Sequence, residues 1–181
     1  MKIEYSLTED DFLTHQLYAA TNTPRIVRQR KRAWLLVPAL YILIAVVLYW
    51  EGLKPTALFL AVAAIVWLPL YPVFQRNRYR KHFLNTVRDS YKNRINKPGS
   101  VEFTDGLILM KDDTGESKMN IDQVEKITEL PHHILVKLKA GVTIILPKDK
   151  MRDYEGVVAY LKALASQLGI PYNPELDWRW K

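Results

Sequence analysis

Two apolar stretches decide the fold: residues 33–50 read AWLLVPALYILIAVVLYW, and residues 57–74 read ALFLAVAAIVWLPLYPVF. Neither stretch contains a charged residue. As an α-helix, each would rise about 27 Å, which is close to the roughly 30 Å hydrocarbon core of a bilayer. Both are apolar on every side, whereas a helix on the surface of a soluble protein has a polar face. The sequence therefore predicts two transmembrane helices rather than two core helices of a soluble protein.

The predicted spans, within residues 33–74, must form a hairpin. Only residues 51–56 separate them, and six residues cannot cross a bilayer, so the helices must be antiparallel. Aromatic residues, which prefer the boundary between lipid and water, lie near the span ends. We expect four of them to be interfacial: Trp34, Tyr49, Trp50 and Tyr71.

Basic residues crowd both outer flanks of this hairpin. They are Arg25, Arg28, Arg30, Lys31 and Arg32 before the first span, and Arg76, Arg78, Arg80 and Lys81 after the second. The connecting turn has only Lys54. Because loops rich in Lys and Arg stay in the cytoplasm, both termini are predicted to be cytoplasmic. The expected location is the inner (plasma) membrane, with two passes.

The net charge of +7 raises the question of nucleic-acid binding. The positive charge is concentrated in residues 25–32 and 76–94, and the rest of the chain carries a net charge of −4. Basic side chains beside a membrane attract anionic lipid headgroups, whereas a nucleic-acid-binding domain needs a basic surface of its own. We therefore expect a bilayer with anionic headgroups as a partner, and no nucleic acid.

The remaining segments are polar and alternate between helix and strand patterns. Residues 1–32 predict a strand, a helix and the first basic flank, and residues 75–97 predict a basic amphipathic connector helix that lies on the membrane or packs on the soluble domain. Residues 98–170 predict an α+β domain, a pleckstrin-homology-like (PH-like) antiparallel meander of about five strands closed by one amphipathic helix. Whether the N-terminal strand joins this sheet stays open. Residues 171–181, with Trp178 and Trp180, are interpreted as a tail too short for another element, and the two rings are expected to fold back onto the sheet or the bilayer.

Three short motifs accompany the hairpin: FTDGL at residues 103–107, IDQVEKITE at residues 121–129 and IILPK at residues 144–148. With the hairpin, they resemble the YcxB-like family of bacterial membrane proteins. The resemblance implies a two-helix hairpin followed by a small PH-like C-terminal domain. It brings no catalytic motif, so it implies no active site.

No catalytic, cofactor or metal site is predicted. The chain has no cysteine, and it contains no phosphate-binding loop, nucleophile elbow or zinc-protease motif. His132 and His133 are adjacent on a predicted strand, so their side chains should point to opposite faces. We therefore expect a non-enzyme.

Three functions remain open. The first is a membrane-anchored interaction module that presents the domain to a protein partner of unknown identity. The alternative is recognition of anionic lipid headgroups by the basic juxtamembrane segments, and a transporter subunit or an unrecognised enzyme comes third. A homo-oligomer is possible with any of them.

Overall fold

The computed structural model describes residues 1–104, 106–113 and 115–180. They form two compact units. The domain unit consists of residues 1–15 and 84–179, and the hairpin unit consists of residues 16–83 with Trp180. The domain unit is thus discontinuous, because the hairpin unit is inserted into its sequence. The sequence predicts hairpin turns at Asp105-Gly106 and at residues 112–115. Each of these turns includes a residue outside the described ranges, as does the end of the tail at Lys181.

Three helices run through the first half of the chain: α1 (Glu9–Thr21), α2 (Pro24–Trp50) and α3 (Lys54–Tyr91). Pro24 occupies the first turn of α2, where its missing N–H costs no hydrogen bond. Gly52, in the turn between α2 and α3, has a φ of 84°, which favours glycine. The segment predicted as a separate connector begins inside α3, which continues without a break to Tyr91.

Within the hairpin unit, α2 and α3 are antiparallel neighbours. Trp34 Nε1 donates a hydrogen bond of 2.9 Å to the Leu68 carbonyl, and Arg30 Nε donates one of 3.2 Å to Gln75 Oε1. Small residues are buried in both helices, namely Ala45 in α2 and Ala57 and Ala64 in α3. Such residues allow two helices to approach closely.

The other side chains of this helix pair are largely exposed. The most apolar window of each helix has a mean hydropathy of 2.2, and only 11 % of it is buried. Leu43 and Phe59 are 62 % and 70 % exposed. A core helix of a soluble protein would bury such side chains. Both helices are long and apolar enough to cross a membrane.

The domain unit contains two four-stranded sheets. The strands are β1 (Lys2–Ser6), β2 (Pro98–Thr104), β3 (Leu107–Asp112), β4 (Gly115–Asn120), β5 (Val124–Glu129), β6 (His133–Leu138), β7 (Thr143–Pro147) and β8 (Tyr172–Pro174). The first sheet has the order β1-β2-β3-β4 and is antiparallel; the second has the order β7-β6-β5-β8, in which only β8 is parallel to its neighbour. The N-terminal strand therefore does join the C-terminal domain, with Ile3 opposite Val101.

One helix, α4 (Tyr154–Leu168), closes the domain, so the α+β layout predicted for the C-terminal half is confirmed. Asp153 caps its first turn by accepting a hydrogen bond from the Gly156 N–H, and Gly169 ends it in the left-handed conformation. Its buried face, which includes Val157 and Leu161, packs with residues of both sheets in a single core.

The prediction that residues 171–181 are too short to form another element is wrong. Residues 172–174 form β8, which pairs in parallel with β5 and places Tyr172 opposite Ile127. A three-residue segment that follows one proline and ends in another carries no visible strand pattern, and its pairing depends on a neighbour more than 40 positions away. Between residues 98 and 147 the chain forms six strands rather than about five, and they divide between the two sheets after β4.

Candidate functional site

The structure brings all nine predicted flanking cations to one end of the hairpin unit. Arg30 on α2 lies level with Gln75 on α3, so the segments 25–32 and 76–81 lie side by side. We call this the cationic end. Glu51 is the only acidic residue between positions 16 and 83, and it lies in the turn at the opposite end. The cationic end therefore holds nine formal positive charges and no acidic side chain of the hairpin unit.

Aromatic rings pack on the cationic end. The Arg30 guanidinium carbon lies 4.9 Å from the Trp180 ring centroid and 5.7 Å from that of Tyr79, within the range of cation–π attraction. Trp180 Nε1 donates to the Arg76 carbonyl at 3.2 Å. Trp180 thus folds back onto the helix pair, and not onto a sheet.

The four predicted interfacial aromatic residues lie towards the two ends of the helix pair. Trp34 and Tyr71 are near the cationic end, where the Tyr71 hydroxyl accepts a hydrogen bond from Gln75 Nε2. Tyr49 and Trp50 are at the turn, and Trp50 is 81 % exposed. The spacing fits two interfacial belts separated by an apolar band.

The domain unit contains a buried polar cluster that the sequence did not reveal. His133 Nε2 lies 2.7 Å from Asp11 Oδ1, while Lys150 Nζ and the Thr8 N–H each donate to Asp11 Oδ2 at 2.7 Å. Burial raises the pKa of Asp11, but the hydrogen bonds from His133, Lys150 and Thr8 outweigh burial and hold that pKa well below its usual value. The cluster fastens the start of α1 to β6.

A second buried cluster surrounds Glu129 on β5. Lys148 Nζ and the Tyr154 hydroxyl donate to Glu129 Oε1 at 2.8 and 2.6 Å, and the Tyr172 hydroxyl donates to Oε2 at 2.6 Å. Burial raises the pKa of Glu129, yet these donors lower it to about 2. The cluster links α4 and β8 to β5.

In both clusters, every carboxylate oxygen has a hydrogen-bond partner. Each oxygen of Asp11 and Glu129 already accepts at least one hydrogen bond from the protein. Such an arrangement holds secondary-structure elements together, because the donors to each carboxylate come from different elements. The same donors keep each carboxylate ionised and leave little room for a ligand. Among the described residues, no group of three or more His, Asp or Glu side chains is placed to hold a metal ion.

A cleft separates two strands that each lie at the edge of a sheet. Residues of β4 and β7 line a cavity of about 640 Å³ that lies wholly in the domain unit. Its lining includes the apolar side chains of Met119, Ile144 and Ile145. We call it the β4–β7 cleft. Edge strands keep half of their backbone groups outside the ladder, so they are the usual places where another chain adds to a sheet.

Ion pairs form part of the lining of the β4–β7 cleft. Arg94 lies 3.4 Å from Asp112, and Lys97 lies 3.4 Å from Asp113. All four side chains belong to the cleft lining and are half-buried or exposed. The cleft thus combines an apolar part with charged side chains of both signs.

Comparison with known proteins identifies part of the domain. Residues 103–164 match the YcxB-like protein family. The YcxB-like segment begins in β2 and ends in α4, so the expected resemblance is confirmed over this part of the domain and is consistent with the two apolar helices that precede it. No curated protein and no solved structure among those compared matches the chain.

Proposed function

We propose that this protein is a membrane-anchored, non-catalytic interaction module. Its hairpin spans the inner membrane twice, and its PH-like domain faces the cytoplasm and binds a protein partner. The exposed apolar band of α2 and α3 supports the anchor. The nine cations at one end support cytoplasmic termini, because positive charge is retained on that side.

The observation that carries the interaction role is the β4–β7 cleft. An extended segment of a partner gains backbone hydrogen bonds from an edge strand and buries its apolar side chains between strands, as in strand-addition complexes. Both edges that line the cleft belong to one folded unit. The proposed partner is therefore a protein that offers an extended segment with apolar side chains.

Photocrosslinking tests the role of the cleft in the full-length protein. A photoreactive amino acid replaces Ser117 on β4 or Val142 beside β7, since both line the cleft and are exposed. The matched control places the same group at Ser166, which is exposed on α4 outside the cleft. We expect one crosslinked protein from both cleft positions in native membranes and none from the control. Equal capture at all three positions, or none at the cleft positions, would refute the proposal.

The proposed topology has its own test, because the chain contains no cysteine. A single cysteine replaces Thr56 after the turn or Ser166 on α4. We expect a membrane-impermeant thiol reagent to label the Thr56 position in intact cells, and the Ser166 position only after the inner membrane is opened. The reverse pattern would place the domain outside the cytoplasm.

Recognition of anionic headgroups is the second candidate function, and the cationic end favours it. Nine basic residues without an acidic neighbour in the hairpin unit would concentrate anionic lipid around the helix pair. Spin-labelled phosphatidylglycerol, compared with spin-labelled phosphatidylcholine around the reconstituted protein, tests this role. We expect selective immobilisation of phosphatidylglycerol that decreases with salt. Equal immobilisation of the two lipids would exclude it.

A further inference from the structure

A groove runs along one face of α2, next to the C-terminal end of α1. It has a volume of about 810 Å³, and all of its lining residues belong to the hairpin unit. Arg28, Lys31 and Arg32 line one part of it, together with Asn22 at the end of α1. This groove is distinct from the face of α2 that contacts α3 through Arg30 and Trp34.

The other part of the groove is apolar. Its lining includes Val27, Leu35, Leu36 and Ala39. Positions 28, 32, 35 and 39 recur at intervals of three and four, so they share one helix face. With a rise of 1.5 Å per residue, Ala39 lies about 10 Å along the axis from Arg32. The groove therefore changes from cationic to apolar in the direction of the predicted hydrocarbon core.

Among the residues that the structure describes, no acidic side chain pairs with the three cations of the groove. Arg28, Lys31 and Arg32 are exposed, and their side chains form no hydrogen bond or ion pair with the described residues. Arg30, on the neighbouring face, instead donates to Gln75 and stacks with Trp180. The charges that line the groove are thus available to a ligand.

We infer that this groove binds one anionic phospholipid molecule from the bilayer. Its phosphate lies among Arg28, Lys31 and Arg32, which donate charge-assisted hydrogen bonds to phosphate oxygens. One acyl chain follows Leu35, Leu36 and Ala39. The inference rests on the proposed membrane placement of the hairpin. It assigns headgroup recognition to one site instead of the whole cationic end. A phospholipid fits this site because its phosphate can contact the cations while its acyl chain contacts the apolar residues.

The test compares two variants that lose the same charge at the same end of the hairpin. The groove variant is R28Q/K31Q/R32Q, and the control is R76Q/R78Q/K81Q, whose side chains lie outside the groove. Each full-length protein is reconstituted in phosphatidylcholine nanodiscs that contain a minority of phosphatidylglycerol. Native mass spectrometry then measures the phosphatidylglycerol retained per protein. Each basic residue near the membrane contributes about 1 kcal/mol of lipid affinity, and about 1.4 kcal/mol corresponds to a tenfold change in affinity. We therefore expect phosphatidylglycerol to be retained roughly 100-fold more weakly by the groove variant, and only a few-fold more weakly by the control.

A further variant removes the space and leaves the charge. In A39W, an indole fills the apolar part of the groove, and we expect tight retention of phosphatidylglycerol to be lost although all nine cations remain. Glycerol phosphate in solution serves as the soluble probe, and it should not displace the lipid.

The outcomes separate the groove from the broader function. Loss in both R28Q/K31Q/R32Q and A39W, with retention in the control, supports the site. Equal loss in the two triple variants overturns the groove but leaves headgroup recognition by the whole cationic end. Equal phosphatidylglycerol retention by the original protein and all variants overturns both, and displacement by glycerol phosphate overturns the lipid as occupant.

Discussion

The two units differ in whether their charged side chains are paired within the unit. In the domain unit, buried acids are matched by cations and hydroxyls of the same unit, as at Asp11 and Glu129. In the hairpin unit, nine cations gather at one end, and the only acid is at the far turn. The charges of the domain unit therefore contribute mainly to its stability. No acidic side chain of the hairpin unit lies at its cationic end, so this end is the more suitable place for an anionic ligand.

The largest expected effect breaks the charge pairing of the domain unit. In Glu129→Gln, the Lys148 side chain, which is 14 % exposed, loses its counter-charge, and leaving one member of a largely buried pair unmatched costs about 3 kcal/mol. Native-state hydrogen exchange of the β6 amides in the full-length protein reports this loss separately from the hairpin. The control is Glu125→Gln on the same strand, whose pair with Lys137 is about 40 % exposed, so we expect less than about 1 kcal/mol. Equal effects would contradict the assigned role of Glu129.

The second prediction concerns the N-terminal segment. Asp11→Asn removes the charge that holds His133 and Lys150, and we expect a loss of about 2 kcal/mol. Amide exchange should speed up first in β1 and α1, whereas Glu129→Gln should loosen β8 first. Glu9→Gln, which breaks only the exposed pair with Arg88, serves as the control. Identical exchange patterns in the Asp11 and Glu129 variants would show that the two clusters do not stabilise different elements.

The third prediction concerns how the stability of the domain unit depends on pH. The folded pKa of Glu129 is lowered from 4.5 to about 2, so its contribution to stability is complete above about pH 4.5 and is lost as the pH falls towards 2. Asp11, whose pKa is also lowered, acts in the same direction. Exchange of β6 amides, measured against pH, should show this loss, with a smaller slope in Glu129→Gln. A stability that stays flat down to pH 2 would rule out the prediction.

The smallest expected effect comes from the cationic end. The variant R76Q/R78Q/K81Q removes exposed charges of the hairpin unit, so the free energy of unfolding of the domain unit should change by less than about 0.5 kcal/mol. The same β6 exchange measurement checks this. A change as large as that of Glu129→Gln would show that these charges serve the domain after all.

Sequence reasoning succeeded where the signal is local. A charge-free stretch of eighteen residues predicts a long apolar helix by itself, and the two predicted stretches lie within α2 and α3. The stripe of α4 was visible for the same reason, since its apolar residues recur every three or four positions.

Sequence reasoning failed where the decisive contact is distant. Asp11 looked like an ordinary acid in the first turn of a helix, and its partner His133 is 122 residues away. His132 and His133 were predicted to point to opposite faces of a strand and not to share a metal, but nothing in their adjacency indicates that His133 contacts a carboxylate of α1. Strand β8 exists because β5 offers it an edge, and three residues around Asn173 carry no pattern of their own.

The insertion of the hairpin into the domain unit sets the order in which a ribosome can build this protein. Strand β1 is synthesised first, yet Lys2 pairs with Glu102, 100 positions later. At about 5–20 residues per second, β1 waits roughly 5 to 20 seconds for its partner. Both apolar helices emerge during that interval. The first sheet can therefore form only after the hairpin has left the ribosome. A completed first sheet is found only in chains whose hairpin has already been synthesised.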